Sequence, residues 1–347
     1  MSSLHDLNDN FAIPGLLAFE EIAGGLLIAR ITGAACTATL FLQGAHLVHW
    51  QPGNEDHPVL FLSERSVFAP GKAVRGGVPV IFPWFGSRTG ERTDGPSHGF
   101  ARTAMWDVAF AAGFGEDLHL TLTLGPSETS RQLGYDNFRL AYELIFGRTL
   151  SLRLSVVNQG ETPMHLEEAL HTYLAVGGVE HVRIGGLGDT EFLDKTDHFA
   201  RRWQTDDWLM LHGETDRPYL NTTATVTVDD PIFRRRLVVE KRNSHTTVIW
   251  NPWTEQTAKL VDMDPEGWRG MVCVETANAA QNALTLHPGE AHTMEARLAV
   301  EPLPDPETAA GGAQQAGEET YEQAQTSLFE SAVEVPFAGD EGDESSE

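Results

Sequence analysis

An all-β fold is what this sequence predicts, and three observations predict it. Short runs of strand-forming residues recur with turn residues between them. Several runs alternate apolar and polar side chains with a period of two, and sustained helical periodicity is scarce. The runs are LLIARI, CTATLFL, HLVHW, LHLTLTL, RLAYELIF, LSLRLSVV, TATVTV, RLVVEK, HTTVIW and MVCVET. In the clearest of them Leu118, Leu120, Leu122 and Leu124 alternate with His119, Thr121 and Thr123, which predicts one buried face and one partly wet face. Runs spaced in this way form antiparallel sheets in a sandwich or barrel. Residues 1–302 hold no clear linker and no short repeat, so one large β domain is expected there.

Composition narrows the partners. The chain has 347 residues, 41% of them apolar, enough to bury a full-sized core. Its formal charge of -26 argues against nucleic acid and anionic membrane, both of which demand a basic footprint. No apolar run approaches the roughly 18 residues that span a bilayer, and VPVIFPWFG is twice interrupted by Pro. The opening MSSLHDLNDNFAIPGLL lacks the basic-then-apolar order of a secretory signal. Two cysteines, Cys36 and Cys273, are too few for a disulfide framework or a structural zinc site, so a reducing, cytoplasmic compartment is expected. The protein is expected to act as a monomer. From Glu301 onward there are 13 acids and no Lys or Arg, half of the net charge, and residues 303–347 are expected to form an acidic, mostly disordered tail. Tyr321, Ala324 and Leu328 fall at helical spacing within it, which leaves a short docking helix over residues 318–333 as the alternative. An anionic substrate of so acidic a chain must meet a local cationic pocket.

Three segments concentrate residues that a β core does not require. In Lys72 to Gly86, Arg75 directly precedes Gly76 and Gly77, where backbone can approach a ligand closely; an edge strand or loop shaped by its Gly and Pro residues is the plainer reading. In Ser97-His98-Gly99-Phe100-Ala101-Arg102, a guanidinium fork suits phosphate oxygens and a nearby His can donate to a sugar oxygen, although an ordinary surface pair has the same composition. The third is His171 in EEALHTYLAV with Glu275 in MVCVETANA. On a continuous strand His165, Glu167, Ala169, His171 and Tyr173 share one face, opposite Leu166, Glu168, Leu170, Thr172 and Leu174. Likewise Glu275 leaves the face opposite Val272 and Val274. Both groups line one polar concavity if their strands are neighbours, and otherwise are an unrelated structural His and Glu.

Other clusters carry less. His46 and His49, three apart in a strand, leave on opposite faces, and no metal is expected. There is no G-x-S-x-G elbow, no P-loop and no G-x-G-x-x-G after a strand, which removes support for serine hydrolases of that type, kinases and dinucleotide oxidoreductases.

Taken in order, KAVRGGVPVIFPWFG, SHGFAR, EALHTYLAVG, GLGDTEFLDK, VIWNPW and VCVETAN resemble the motif blocks of glucose-6-phosphate 1-epimerases (hexose-6-phosphate mutarotases) of the aldose 1-epimerase superfamily, and LQGAHLVHWQP resembles their opening strand. The resemblance covers about residues 15–300. It implies a galactose mutarotase-like β-supersandwich of large twisted antiparallel sheets, with the sugar in a groove on a concave face. It also implies His171 as general acid and Glu275 as general base, Arg75 and Arg102 as phosphate ligands, and His98 and Asp194 on the sugar. Ser97 stands where some relatives carry a substrate-touching Gln.

The implied reaction interconverts the α and β anomers of glucose 6-phosphate. Opening the ring removes the C1 hydroxyl proton and protonates the ring oxygen, work for a carboxylate and an imidazole with no cofactor. Three other readings remain at this point: a mutarotase for neutral hexoses, which gains nothing from paired arginines; a non-catalytic carbohydrate-binding module; and a β-sandwich glycosidase, which needs a second well-placed acid.

Overall fold

Each of the ten strand-type runs becomes a strand in the computed structural model, which describes residues 3–88, 90 and 93–303. The expected acidic tail over residues 303–347, apart from Leu303, and its alternative docking helix lie outside the described residues. A four-stranded sheet runs in chain order through Leu17–Ile22, Leu26–Thr32, Cys36–Phe41 and His46–Pro52. A nine-stranded sheet contains the long hairpins Asp117–Leu124, Phe138–Phe146 and Leu150–Asn158, and an eight-stranded sheet contains Thr215–Leu220, Thr246–Asn251 and Met271–Asn278 as adjacent strands. All named pairings are antiparallel.

The period-two pattern explains the layering. Leu118, Leu120 and Leu122 are buried with Leu140, Tyr142, Leu144, Phe146, Leu150, Leu152 and Leu154, whereas the residues between them are half-buried. Burying one such leucine contributes about 1.5–3 kcal/mol, so the face of each strand is strongly specified. Met271–Asn278 is buried at every position, because its two faces meet the core on one side and a wall of polar and aromatic side chains on the other. A helix that the strand pattern did not anticipate, Leu4–Phe11, opens the described chain, started by a capping box between Ser3 and Asp6.

The continuous strand expected from His165 to Tyr173 is broken in three. Met164–Leu166 pairs with Leu284–Leu286 in a separate two-stranded sheet, while Glu168–Leu170 and Tyr173–Ala175 both pair with Met271–Asn278. The predicted faces nevertheless hold: Leu166, Glu168, Leu170, Thr172 and Leu174 are all buried on the core side.

The inner face of Arg235–Arg242 carries Arg235, Leu237, Val239 and Lys241. Arg235 donates to the carbonyls of His57, Pro58 and Ala175 and lies 3.1 Å from Glu55. Lys241 has Ser244 Oγ at 3.3 Å, and burial pushes its ammonium down from 10.5 to about 7. Such a displacement corresponds to a cost on the order of 3–5 kcal/mol while the lysine stays charged. Between those two values the unfolded chain holds a proton that native Lys241 has released, so this group's contribution to stability rises with pH across the window. Lys241→Met is therefore expected to raise the melting temperature at pH 6 to 7, with the gap to the parent protein narrowing as the pH approaches 10. Thermal unfolding of both proteins over that pH series checks the sign, and a gap that widens with pH would refute it.

Candidate active site

One strand register builds the centre of the site. Leu170 lies opposite Thr276, and Tyr173 lies opposite Cys273, which is the same register on either side of the strand break. His171 therefore faces Glu275 directly across the pair, and Nε2 lies 3.4 Å from Oε1. The break itself is held by the backbone: His171 N donates to Pro79 O, Tyr173 N to Gly77 O, and Val274 N to Thr172 O. Further strands extend the same face, because Cys273 is opposite Trp250 and Trp250 is opposite Asp216. Side chains paired across an antiparallel sheet share a face, so Tyr173, Cys273, Trp250 and Asp216 form one row beside His171 and Glu275.

Burial sets the charges there. Burial first, then the positive charges and imidazole around it (His98, Arg102 and Arg75), hold His171 well below the ordinary histidine range. Burial and the Asp216 carboxylate push Glu275 well above the ordinary carboxylate range, against the opposing pull of Lys195. Both shifts favour a neutral imidazole beside a protonated carboxyl in the resting protein. His171 Nδ1 and Glu275 Oε2 are buried and have no hydrogen-bond partner among the described residues. Two such atoms on facing side chains offer a bound polar group a partner on each. The imidazole is clamped flat against Tyr173, with ring centroids 4.7 Å apart, and meets Trp250 and His98 edge-on.

His98 enters from the second sequence segment with a left-handed φ of 64°. Such a conformation is unfavourable for a side-chain-bearing residue. Gly86 holds it from both sides: His98 N donates to Gly86 O, and Gly86 N donates to His98 Nδ1. Nδ1 is thus an acceptor, which puts the neutral ring's proton on Nε2, free to donate. Burial, followed by the charges of Arg102, Lys195 and Arg75, lowers His98 to about 3, so it stays neutral at physiological pH.

The two arginines differ. Arg75 Nε donates to Asp262 Oδ1 at 3.3 Å, its Nη2 lies 3.2 Å from Oδ2, and Nη1 donates to Tyr173 OH. Its charge is already balanced. Arg102 donates from Nη2 to Ser97 O at 2.7 Å and has no carboxylate within ion-pair distance among the described residues. Ser97 itself is exposed and engages Arg102 through its carbonyl. The plainer reading of the Arg75 segment also holds in part, since Val80–Ile81 is the edge strand of the eight-stranded sheet.

Asp194 leaves the other way. Phe192 is opposite Tyr219, so the register carries Asp194 to the face opposite that of Asp216, and its carboxylate accepts from Thr196 N and Oγ1 and lies 3.4 Å from Arg202. The next residue, Lys195, returns to the site face: its Nζ is 2.6 Å from Asp216 Oδ2 and sits over the Phe85 ring. Sequence reasoning missed Lys195, Asp216, Trp250 and Asp262, and placed Tyr173 on the face of His171 without giving it a part in the site. Alternation along LHGETDRPYL carries no sign of which face Asp216 takes; only its pairing with Trp250 does. His46, read as an unlikely metal ligand, is a buried support whose Nε2 is hydrogen-bonded to Gly76 O. Among the described residues one group of potential ligand atoms clusters, from His171, Cys273 and Glu275, all within 4.8 Å of one another.

The aldose 1-epimerase family model matches residues 28–299, most of the chain and the whole of this site. The chain belongs to the aldose 1-epimerase family. Within that family it is 34% identical over 255 residues to an Escherichia coli protein named "Putative glucose-6-phosphate 1-epimerase", covering 74% of this chain and 84% of the relative. A Salmonella typhimurium protein of the same name is 36% identical over 248 residues, covering 71% and 82%. The crystal structure of a "putative mutarotase (YeaD)" from Salmonella typhimurium superimposes with a TM-score of 0.78 at 30% identity, covering 84% of this chain and 96% of that one. A galactose mutarotase-like protein of Clostridium acetobutylicum, at 16% identity and a TM-score of 0.60, shares the fold.

The geometry makes one position a sharp test of how the epimerase site is held. Gly99, between His98 and Phe100, has φ 72°, and a Cβ there would lie 2.0 Å from Phe82 O. Gly99→Ala is expected to destabilise the fold by at least about 2 kcal/mol and to lower activity, because either the Phe82 backbone or His98 must move. Urea unfolding and an activity assay measure both effects; a variant unchanged in both would show that the loop adapts without cost.

Proposed function

We propose that this epimerase-family protein interconverts the α and β anomers of a hexose 6-phosphate, glucose 6-phosphate foremost, with His171 and Glu275 as its acid and base. The observation that carries the reading is the buried His171–Glu275 contact at 3.4 Å, with an unpartnered polar atom on each side chain. The names of the Escherichia coli and Salmonella typhimurium relatives support the same substrate.

The pair shares one proton. With the proton on His171, the imidazolium gives it to the ring oxygen as C1–O5 breaks, and the Glu275 carboxylate takes the C1 hydroxyl proton, leaving the acyclic aldehyde beside a neutral imidazole and a carboxyl. That is the state burial favours in the resting protein, so the environment is matched to the open-chain intermediate. Rotation about C1–C2 presents the other face of the aldehyde. Reclosure returns the proton from Glu275 to O1 as His171 recovers one from O5. His98 Nε2 and the Lys195–Asp216 pair flank the centre and are the groups that grip sugar hydroxyls, while Asp194 orders the loop that presents Lys195. The reaction asks for no cofactor. Composition supports a cytoplasmic protein with a body over residues 1–302 followed by an acidic tail, and the reading takes it to act as a monomer on a small sugar phosphate.

Arg102, with its charge unmatched, is the anchor for the phosphate, and Arg75, supported by Asp262, lends a second donor edge. The balance of Arg75 by Asp262 also favours a second reading, a mutarotase for neutral hexoses, because one of the two arginines is already satisfied without an anion.

Glu275→Gln and His171→Ala are each expected to lower kcat by about 100-fold or more while the protein stays folded, since each removes one half of the proton exchange. The double variant should lose far less than the product of the two. Exchange NMR on glucose 6-phosphate measures this, and near-normal turnover in either single variant removes that residue from its role. Arg102→Ala is expected to lower kcat/KM for glucose 6-phosphate by roughly 10- to 150-fold, the value of a charge-assisted hydrogen bond, and to leave unphosphorylated glucose nearly unaffected. Equal losses on both sugars would favour the neutral-hexose reading.

A further inference from the structure

We propose that His171, Cys273 and Glu275 form a three-ligand site for a thiophilic divalent cation, Zn²⁺ above all, and that occupation of this site switches the enzyme off. Ring opening asks nothing of a thiol, yet Cys273 is two residues before Glu275 on the same strand and the same face, buried in the row between Tyr173 and Trp250. One ring nitrogen of His171, Cys273 Sγ and a Glu275 carboxylate oxygen lie within 4.8 Å of one another, and all three residues are buried. His171 Nδ1 and Glu275 Oε2 are without partners among the described residues, so each of these two side chains keeps a buried polar atom that no hydrogen bond uses.

The donor set is one that zinc prefers: a thiolate at about 2.3 Å, an imidazole at about 2.0–2.1 Å and a carboxylate at about 2.0–2.2 Å. Donors around a tetrahedral zinc stand about 3.5 Å apart, so rotations that close the triad by about 1 Å complete it and leave the fourth position to water. Charge is balanced as well. Binding expels one proton from the thiol and one from the carboxyl, and the resulting thiolate and carboxylate neutralise the dication. Arg75 and Lys195 are already paired with Asp262 and Asp216, which leaves Arg102 as the one nearby cation opposing entry among the described residues. A cation held there sequesters both carriers of the shared proton. The site itself stands on geometry; its inhibitory effect rests on the reading of His171 and Glu275 as acid and base.

Titration of the purified, metal-free protein with Co²⁺ tests the site independently of activity. The expected result is a near-ultraviolet thiolate-to-cobalt charge-transfer band with intense visible bands of tetrahedral type, both absent in Cys273→Ala and in Cys273→Val, which fills the same buried space. Zn²⁺ is expected to inhibit anomerisation competitively with glucose 6-phosphate, and the inhibitory concentration to rise on the order of 100-fold or more in the two variants, whose metal-free activity stays within a few-fold of the parent. Absence of the charge-transfer band, or a band that persists in both variants and therefore comes from Cys36, overturns the site. A normal band with undiminished turnover overturns the inhibition and points to failure of the acid–base assignment. A protein without anomerase activity even when free of metal overturns the inhibitory role together with the proposed function, and the cobalt spectrum still decides the site.

Discussion

The pairing of residues 168–175 with Met271–Asn278 is the constraint on which the site depends. Side chains alternate along a strand, so a slip of one residue in this pair sends every side chain to the opposite face. Leu170 and Leu174 on one strand, Val272 and Val274 on the other, are fully buried, and a slip would turn them from the apolar core to the polar face. The hydrophobic core thereby fixes the register, and the register puts His171 against Glu275. The proposed proton exchange needs groups within hydrogen-bond reach, and the packing of apolar side chains on the opposite face of the same strands supplies that precision.

Such a site is expensive to bury, and the fold offsets the cost group by group. Arg75 is matched by Asp262 and Tyr173, Lys195 by Asp216, and His46 and Glu167 are consumed by backbone, the latter accepting from Phe85 N and Ala280 N. Within the site the buried atoms left without a partner are His171 Nδ1 and Glu275 Oε2, and the Arg102 guanidinium has no carboxylate within ion-pair distance among the described residues. Polar groups buried without partners normally destabilise a protein by several kcal/mol, and two such atoms on the facing side chains of His171 and Glu275 are where a polar ligand would offset that cost.

An acidic chain faces a further demand if it is to hold an anion. Thirteen of its 26 net negative charges come from acids at and beyond Glu301, so the sheets themselves are less acidic than the total suggests. Burial first, and then the charges of Arg102, Lys195 and Arg75 that set the local potential at the site, keep the ring of His98 neutral. A neutral His98 can donate to a sugar hydroxyl without adding to the field that would already hold the phosphate.

Period-two alternation in the sequence determined the all-β class, the ten strands and the faces on which His171 and Glu275 lie, because alternation is a local property of an extended chain. The motif blocks also pointed to the right family before any strand was paired. The structure decided the rest. Whether His171 met Glu275 depended on a register between segments about a hundred residues apart, and nothing local encodes which strands become neighbours. Asp194 and Asp216 are equally acidic on paper, yet pairing with Trp250 turns Asp216 to the site while the pairing Phe192↔Tyr219 turns Asp194 away and brings Lys195 in its place. Arg75 and Arg102 looked alike as loop arginines, and only the approach of Asp262, 187 residues distant, satisfied one and left the other with its charge. Side-chain identity and strand face are written in the chain; charge compensation is a property of distances in space, and those exist only after the sheets have closed.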